Sequence, residues 1–127
     1  TRCPHCAPGA GMKPESALQR SIRHYLTLNG IDSVAVPNGA HLSGDATARA
    51  RQMNAMKADG LMVGFPDLLL YPRRIAAIGH FEIKTEGGKL SPAQKTCIAW
   101  LESRGHRVAV IRSVDDARDT LSAWGWL

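Results

Sequence analysis

The chain has 127 residues, 44% hydrophobic and 21% charged, which is enough for one domain with a real core and too little for two. Sixteen Lys and Arg against eleven Asp and Glu give a net charge of +5, which favours a polyanionic partner, nucleic acid before membrane. No apolar run reaches the roughly 18 residues of a membrane span, no signal-peptide pattern opens the chain, and an odd number of cysteines argues against a secreted disulfide framework, so a soluble, intracellular protein is expected.

Residues 1–14 are rich in Pro, Gly and Cys and lack periodicity. They read as a flexible tail preceding a single domain over 15–127. Cys3-Pro4-His5-Cys6 offers half of a zinc site, but a closed structural site needs four ligands. Only His5 and distant Cys97 remain as obvious additions, the latter on a helix expected to pack inward, so an unstructured tail is the stronger reading than structural Zn²⁺ at Cys3 and Cys6.

Helical spacing starts at Glu15, with Leu18, Ile22, Tyr25 and Leu26 on one stripe and Asn29-Gly30 as the stop. Residues 33–37, SVAVP, read as a short strand before an Asn38-Gly39 turn. The Ala-rich run from Asp45 to Asp59 predicts a helix. Gly60, Gly64 and Pro66 then break the chain ahead of an apolar strand, DLLLY, ending at Pro72. A hairpin brings the chain back through a strand over 75–84. Ser91, Pro92 and Gln94 form a capping-box pattern for a helix running to about Arg104, with Ile98 and Leu101 inward and Gly105 as its stop. RVAVI, 107–111, is a further strand. The last helix carries Val114, Ala117, Leu121 and Trp124 on one face. Strand, helix and strand over 75–111 make a parallel, right-handed crossover, and the hairpin adds antiparallel pairing, so an α/β fold with a mixed sheet flanked by helices is expected.

The chemistry concentrates in FEIKTEGGKLSPAQ, 81–94. Alternation along a strand puts His80, Glu82 and Lys84 on one face, and Phe81 and Ile83 on the other. Residues two apart lie roughly 6.6 Å apart along a strand. Asp67 opens the preceding strand, and placing it beside Glu82 requires a hairpin turn centred between Arg74 and Ile75. Two carboxylates side by side repel unless a cation lies between them. A hard divalent ion, Mg²⁺ or Mn²⁺, fits oxygen ligands and keeps several waters, with the Ile83 carbonyl completing the protein side. Glu15 is a third acid on the inward stripe of the first helix, although an acid in a first turn is equally explained by the helix dipole. Gln94 has the same ambiguity through its capping role. His80 reads as a packed or solvated side chain rather than a ligand.

Pro66-Asp67 followed by Glu82-Ile83-Lys84 resembles the signature of the PD-(D/E)xK nuclease superfamily. The ordered series is more specific and resembles the VRR-NUC family, the virus-type replication-repair nucleases. It runs through Glu15 with Gln19, Tyr25-Leu26, Pro37-Asn38-Gly39, Lys57 with Gly60, Gly64-x-Pro66-Asp67-Leu68, EIKTEGGKLSPAQ and VIRSVDDA, covering about residues 13–124. The resemblance implies a restriction-endonuclease-like core and metal-dependent hydrolysis of DNA phosphodiesters. Glu15, Asp67 and Glu82 would be metal ligands with the Ile83 carbonyl, Lys84 would orient the attacking water, and Gln94 would support them. It further implies a homodimer acting on four-way or other branched DNA, in a bacterial or phage-infected cytoplasm.

Arg49, Arg51 and Lys57 before Asp67, Arg73 and Arg74 at the hairpin tip, and Lys89 near the EGGKLS turn are candidates for DNA phosphates. Few aromatics are present, which points away from base stacking and towards backbone and shape recognition. A non-catalytic nucleic-acid-binding scaffold of the same fold is the alternative. The complete set Glu15, Asp67, Glu82 and Lys84 counts against it. A metal-free RNA-processing nuclease would need a Tyr, His and Lys constellation that nothing here arranges.

Overall fold

A computed structural model describes residues 13–37 and 42–127. The tail with Cys3 and Cys6, and the Asn38-Gly39 turn, lie outside the described residues. Helix α1 spans Pro14–Leu28, with Pro14 pre-set at the first helical position and Glu15 in the first turn. It ends at Asn29, whose side chain donates to the Tyr25 carbonyl at 2.8 Å, and at Gly30 with φ of 75°, the left-handed conformation that glycine adopts most easily.

Strand β1 occupies Ile31–Ala35, two residues earlier than the apolar run SVAVP suggests. The cause is pairing: β1 lies antiparallel to β2 (Leu68–Pro72) over its whole length, Ile31 opposite Pro72 and Ala35 opposite Leu68. A strand's bounds follow its ladder of hydrogen bonds rather than its hydrophobicity. Helix α2 spans Ala46–Ala58, and its Asp45 cap accepts from the Ala48 N–H at 2.8 Å. It carries no buried residue, so capping and Ala-rich composition hold it more than packing does.

The hairpin's second strand, β3, covers only Gly79–Ile83, not 75–84. Tyr71 and Pro72 pair with β1 and have no partner in β3, so residues 75–78 have no ladder to join. Gly79 begins the strand because the Trp124 and Trp126 rings close over it; a Cβ there would lie 2.8 Å from Trp126. Helix α3 spans Pro92–Ser103, strand β4 Arg107–Ile111, and helix α4 Val114–Ala123. The sheet order is β1-β2-β3-β4, with β3 and β4 parallel and the other pairs antiparallel. The mixed α/β architecture is the one expected.

Every residue of β3 is buried, as a central strand covered on both faces must be. One face packs Leu68, Leu70, Phe81, Ile83 and Ile111 against Ile22 and Leu26 of α1 and Ala117 and Leu121 of α4. The other face carries Glu82 beneath α3, whose Cys97 and Leu101 are buried and whose Ile98 is half-buried. Glu82 therefore stands at the C-terminal end of the central strand, under the start of α3.

Candidate active site

Leu68 faces Phe81 and Leu69 faces His80 in the hairpin. One residue beyond, the same register sets Asp67 opposite Glu82, as a turn centred between Arg74 and Ile75 requires. Asp67 Oδ2 accepts from the Ile83 N–H at 2.8 Å. The Lys84 N–H points the other way, to the Ile111 carbonyl of β4 at 3.0 Å. Both main-chain polar groups of a strand residue face the same side, so the Ile83 carbonyl faces the side on which Asp67 lies.

Glu82 is 1% exposed. Its Oε1 accepts from Gln94 Nε2 at 2.8 Å and lies 3.8 Å from Lys84 Nζ. Its Oε2 is buried without a hydrogen-bond partner. A buried carboxylate with one oxygen unsatisfied is held at a cost, and the electrostatics reflect it. Burial first, then the Asp67 charge, push the Glu82 carboxyl up to about 8, against the opposing pull of Lys84. Asp67 is also raised by burial, less so because the Ile83 N–H favours its charged form. The Asp67 charge thus makes Glu82 harder to ionise unless a cation lies between them.

The Gln94 amide is fixed at both ends. Its Oε1 accepts from the Ser91 N–H at 2.8 Å, and the Ser91 hydroxyl accepts from the Gln94 N–H at 3.1 Å. The capping box and the contact to Glu82 are thus two uses of one side chain, so neither of the two explanations for Gln94 excludes the other.

Over Asp67 opens a cleft of about 700 Å³ lined by Lys13, Glu15, Ser16 and Gln19 of the α1 side and by Ala35, Val36 and Pro37 at the end of β1. Glu15 is exposed, unlike the rest of the inward stripe. The buried residues of α1 are Ile22 and Leu26, towards its C-terminal half, while residues 13–16 are all exposed. Glu15 still lines the same cleft as Asp67 and helps to raise Glu82. Lys13 and Ser16 were not singled out from sequence, although Ser16, Gln19 and Glu15 share helical spacing that could have flagged them.

Two carboxylates in contact, one unpartnered buried oxygen and an all-oxygen donor set suit a hard divalent cation, which needs few protein ligands because it keeps its waters. Among the described residues, no three His, Cys, Asp or Glu side chains are grouped to hold a metal, so a cation here would depend on Asp67, Glu82 and main chain.

The remaining candidates are spread out. Lys89 lies in the connection from β3 to α3, at the Glu82 end of the sheet. Arg49, Arg51 and Lys57 are exposed on α2. Arg73 and Arg74 lie at the opposite end of β2 from Asp67, roughly 20 Å away at about 3.3 Å per residue. Arg73 is committed to Asp32 at 2.8 Å. Both arginines line a second depression, of about 740 Å³, with no acidic side chain on its wall. His80 is packed: its ring stacks on His106 with Nε2 to Nδ1 at 2.9 Å, and Phe65 meets it edge-on. Cys97 Sγ lies 3.5 Å from Met62 Sδ.

The chain is an α/β protein: a mixed sheet flanked by helices, with Asp67 just before one interior strand and Glu82 and Lys84 at the end of the next. The VRR-NUC domain profile matches residues 12–115, and the chain belongs to the VRR-NUC nuclease family. Similar solved structures include two VRR-NUC domains. A "VRR_NUC domain protein" has 21% identity over 88% of each chain, with a TM-score of 0.60. A "VRR_NUC domain" has 23% identity over 86% of this chain and 94% of the other, also with a TM-score of 0.60. No curated protein matches, and among the described residues no helix is long and apolar enough to cross a membrane.

Proposed function

We propose that the protein is a Mg²⁺- or Mn²⁺-dependent endodeoxyribonuclease acting on branched DNA as a homodimer. The observation that carries this is the pairing of half-buried Asp67 with buried Glu82, whose Oε2 has no hydrogen-bond partner, with Lys84 alongside. Asp67 and Glu82 would hold the cation with the Ile83 carbonyl, and Glu15 would contribute from the cleft's edge. A bound divalent cation supplies charge neutralisation at the phosphoryl oxygens and makes water a better nucleophile at neutral pH.

The chain's own groups do the rest. The Ile83 N–H orients Asp67, and the Gln94 amide orients Glu82. Glu82 must give up its proton for the cation to bind, so binding strengthens as pH rises. Lys84, 14% exposed at its side chain, aims its ammonium where negative charge develops on the phosphate. The cleft beside α1 gives that phosphate access to Asp67 from solvent. Lys89 and the exposed cations of α2, Arg49, Arg51 and Lys57, contact flanking phosphates, with Arg74 and Arg73 reaching a more distant arm. A single domain carries one such site, and symmetric cutting of two strands uses two copies.

The exposed position of Glu15 favours one second reading, a non-catalytic nucleic-acid-binding scaffold. Incubating the protein with labelled four-way, flapped and linear DNA in Mg²⁺, Mn²⁺ or EDTA separates the two. Metal-dependent nicking near the branch supports the nuclease. Binding without cleavage in any metal leaves the scaffold, and light scattering that gives a monomer mass at micromolar protein removes the dimer.

A further inference from the structure

The connection from α2 to β2 passes through two left-handed glycines, Gly60 with φ of +111° and Gly64 with φ of +85°. Their surroundings differ sharply. A Cβ on Gly60 would meet nothing within 4 Å, whereas a Cβ on Gly64 would lie 2.5 Å from Ala93 C, 2.6 Å from Ala93 O and 2.7 Å from Gln94 N. Those are backbone atoms in the first turn of α3, so no side-chain rotation could make room for it. The connection therefore rests main chain to main chain on the turn that carries Gln94.

Two short arms leave this contact. One is the chain itself, through Phe65 and the buried Pro66 to Asp67, with proline fixing the backbone on the way. The other is the Gln94 side chain, held by Ser91 at one end and reaching Glu82 Oε1 at the other. The contact at Gly64 thus braces the element bearing one carboxylate against the element that orients the other. We infer that Gly64 is a positioning residue of the site: its missing Cβ lets the α2–β2 connection seat on the first turn of α3 and so sets how Glu82 faces Asp67. The inference deepens the metal-site reading and rests on it for its consequence in metal binding.

Alanine at either glycine brings the same kind of left-handed strain, so Gly60→Ala serves as the control. The test measures Mn²⁺ affinity by electron paramagnetic resonance and exchange of the Gln94 side-chain amide protons by nuclear magnetic resonance. Gly64→Ala is expected to weaken Mn²⁺ binding about tenfold or more, as loss of a supporting partner does, and to speed exchange of the Gln94 amide. Gly60→Ala should leave both unchanged. In a Gln94→Ala background, Gly64→Ala should add little further loss, because the two act along one route. Gly64→Ala that behaves as Gly60→Ala, or losses that add in full, would overturn the inference. Wild-type protein that binds no Mn²⁺ would remove the metal reading instead, and the Gln94 exchange would then decide this inference alone. If Gly64→Ala does not fold, the wild-type cross-peak between Gly64 Hα and the Gln94 amide decides. Its presence, together with release of the Gln94 side chain in Ser91→Ala, supports the brace, and its absence overturns it.

Discussion

Gln94 donates to Glu82 Oε1 at 2.8 Å through the amide whose oxygen accepts from the Ser91 N–H, so the helix cap of α3 also orients the carboxylate of β3. With Oε1 engaged on Ser91, the NH₂ end has one direction left to point.

Gln94→Ala should therefore weaken divalent-cation binding by about 10- to 100-fold, the usual cost of removing a partner that orients a ligand. Gln94→Glu should do worse, because it sets a third carboxylate against two whose ionisation burial already opposes. Ser91→Ala should cost about 1 kcal/mol of stability through the lost cap and weaken binding less than Gln94→Ala. Calorimetric Mn²⁺ titration beside thermal melts reads both quantities.

Lys84 is the nearest cation to Glu82, at 3.8 Å from Oε1, and it opposes the upward shift of both carboxyls. Lys84→Ala should leave the fold intact and lower single-turnover cleavage by about 100-fold or more, the scale on which one aimed charge or donor contributes. Lys84→Arg should recover part of it. Equal rates for wild type and Lys84→Ala at saturating metal would remove the lysine from the chemistry.

The pH dependence of stability has a defined sign. Glu82 titrates near 8 in the fold against an ordinary 4.5, so between those values the folded chain holds a proton that the unfolded chain has lost, and stability falls as pH rises. Asp67 is shifted in the same direction. His80 runs the other way: burial, then His106, hold it at about 4 against 6.5, giving stability that is present above 6.5 and lost as pH falls towards 4. The slopes oppose each other below 6.5, and above it Glu82 acts without His80. In EDTA the melting temperature should fall between pH 6.5 and 8, and Glu82→Gln should flatten that fall. An unchanged slope in Glu82→Gln would assign it elsewhere.

The basic residues should divide by position. Arg73 lies at the far end of β2 and is tied to exposed Asp32, a solvent-screened pair that contributes little. Lys89 follows β3 at the Glu82 end. Lys89→Ala should weaken DNA binding more than Arg73→Ala and reduce the salt dependence of binding by about one phosphate contact. Fluorescence anisotropy across a salt series measures both.

Much of this was legible in the residues because the strongest signals are local. Ser91-Pro92-Ala93-Gln94 specifies its own capping box, and the hairpin's symmetry fixes Asp67 opposite Glu82 once the turn is centred. The misses are non-local. Strand β1 starts at Ile31 because β2 is there to pair with, which no property of SVAVP reveals. Residues 75–78 fall outside β3 because the ladder ends and two tryptophans from the C-terminus close on Gly79. Glu15 is in the helix as expected but exposed, since a helical stripe says which residues share a face and not which of them open onto a cleft. The His80–His106 stack arises across parallel strands, with His80 opposite Val108, and a lone histidine in a strand gives no sign of it.

The central claim is that a divalent cation lies between Asp67 and Glu82. Mn²⁺ titration of the purified protein, followed by electron paramagnetic resonance at neutral pH and repeated on Asp67→Asn and Glu82→Gln, tests it most directly. The account predicts saturable binding in wild type that tightens with rising pH and is lost in both variants, with each variant still folded. Binding that survives both substitutions, or a folded wild type that binds no Mn²⁺ at all, would contradict it.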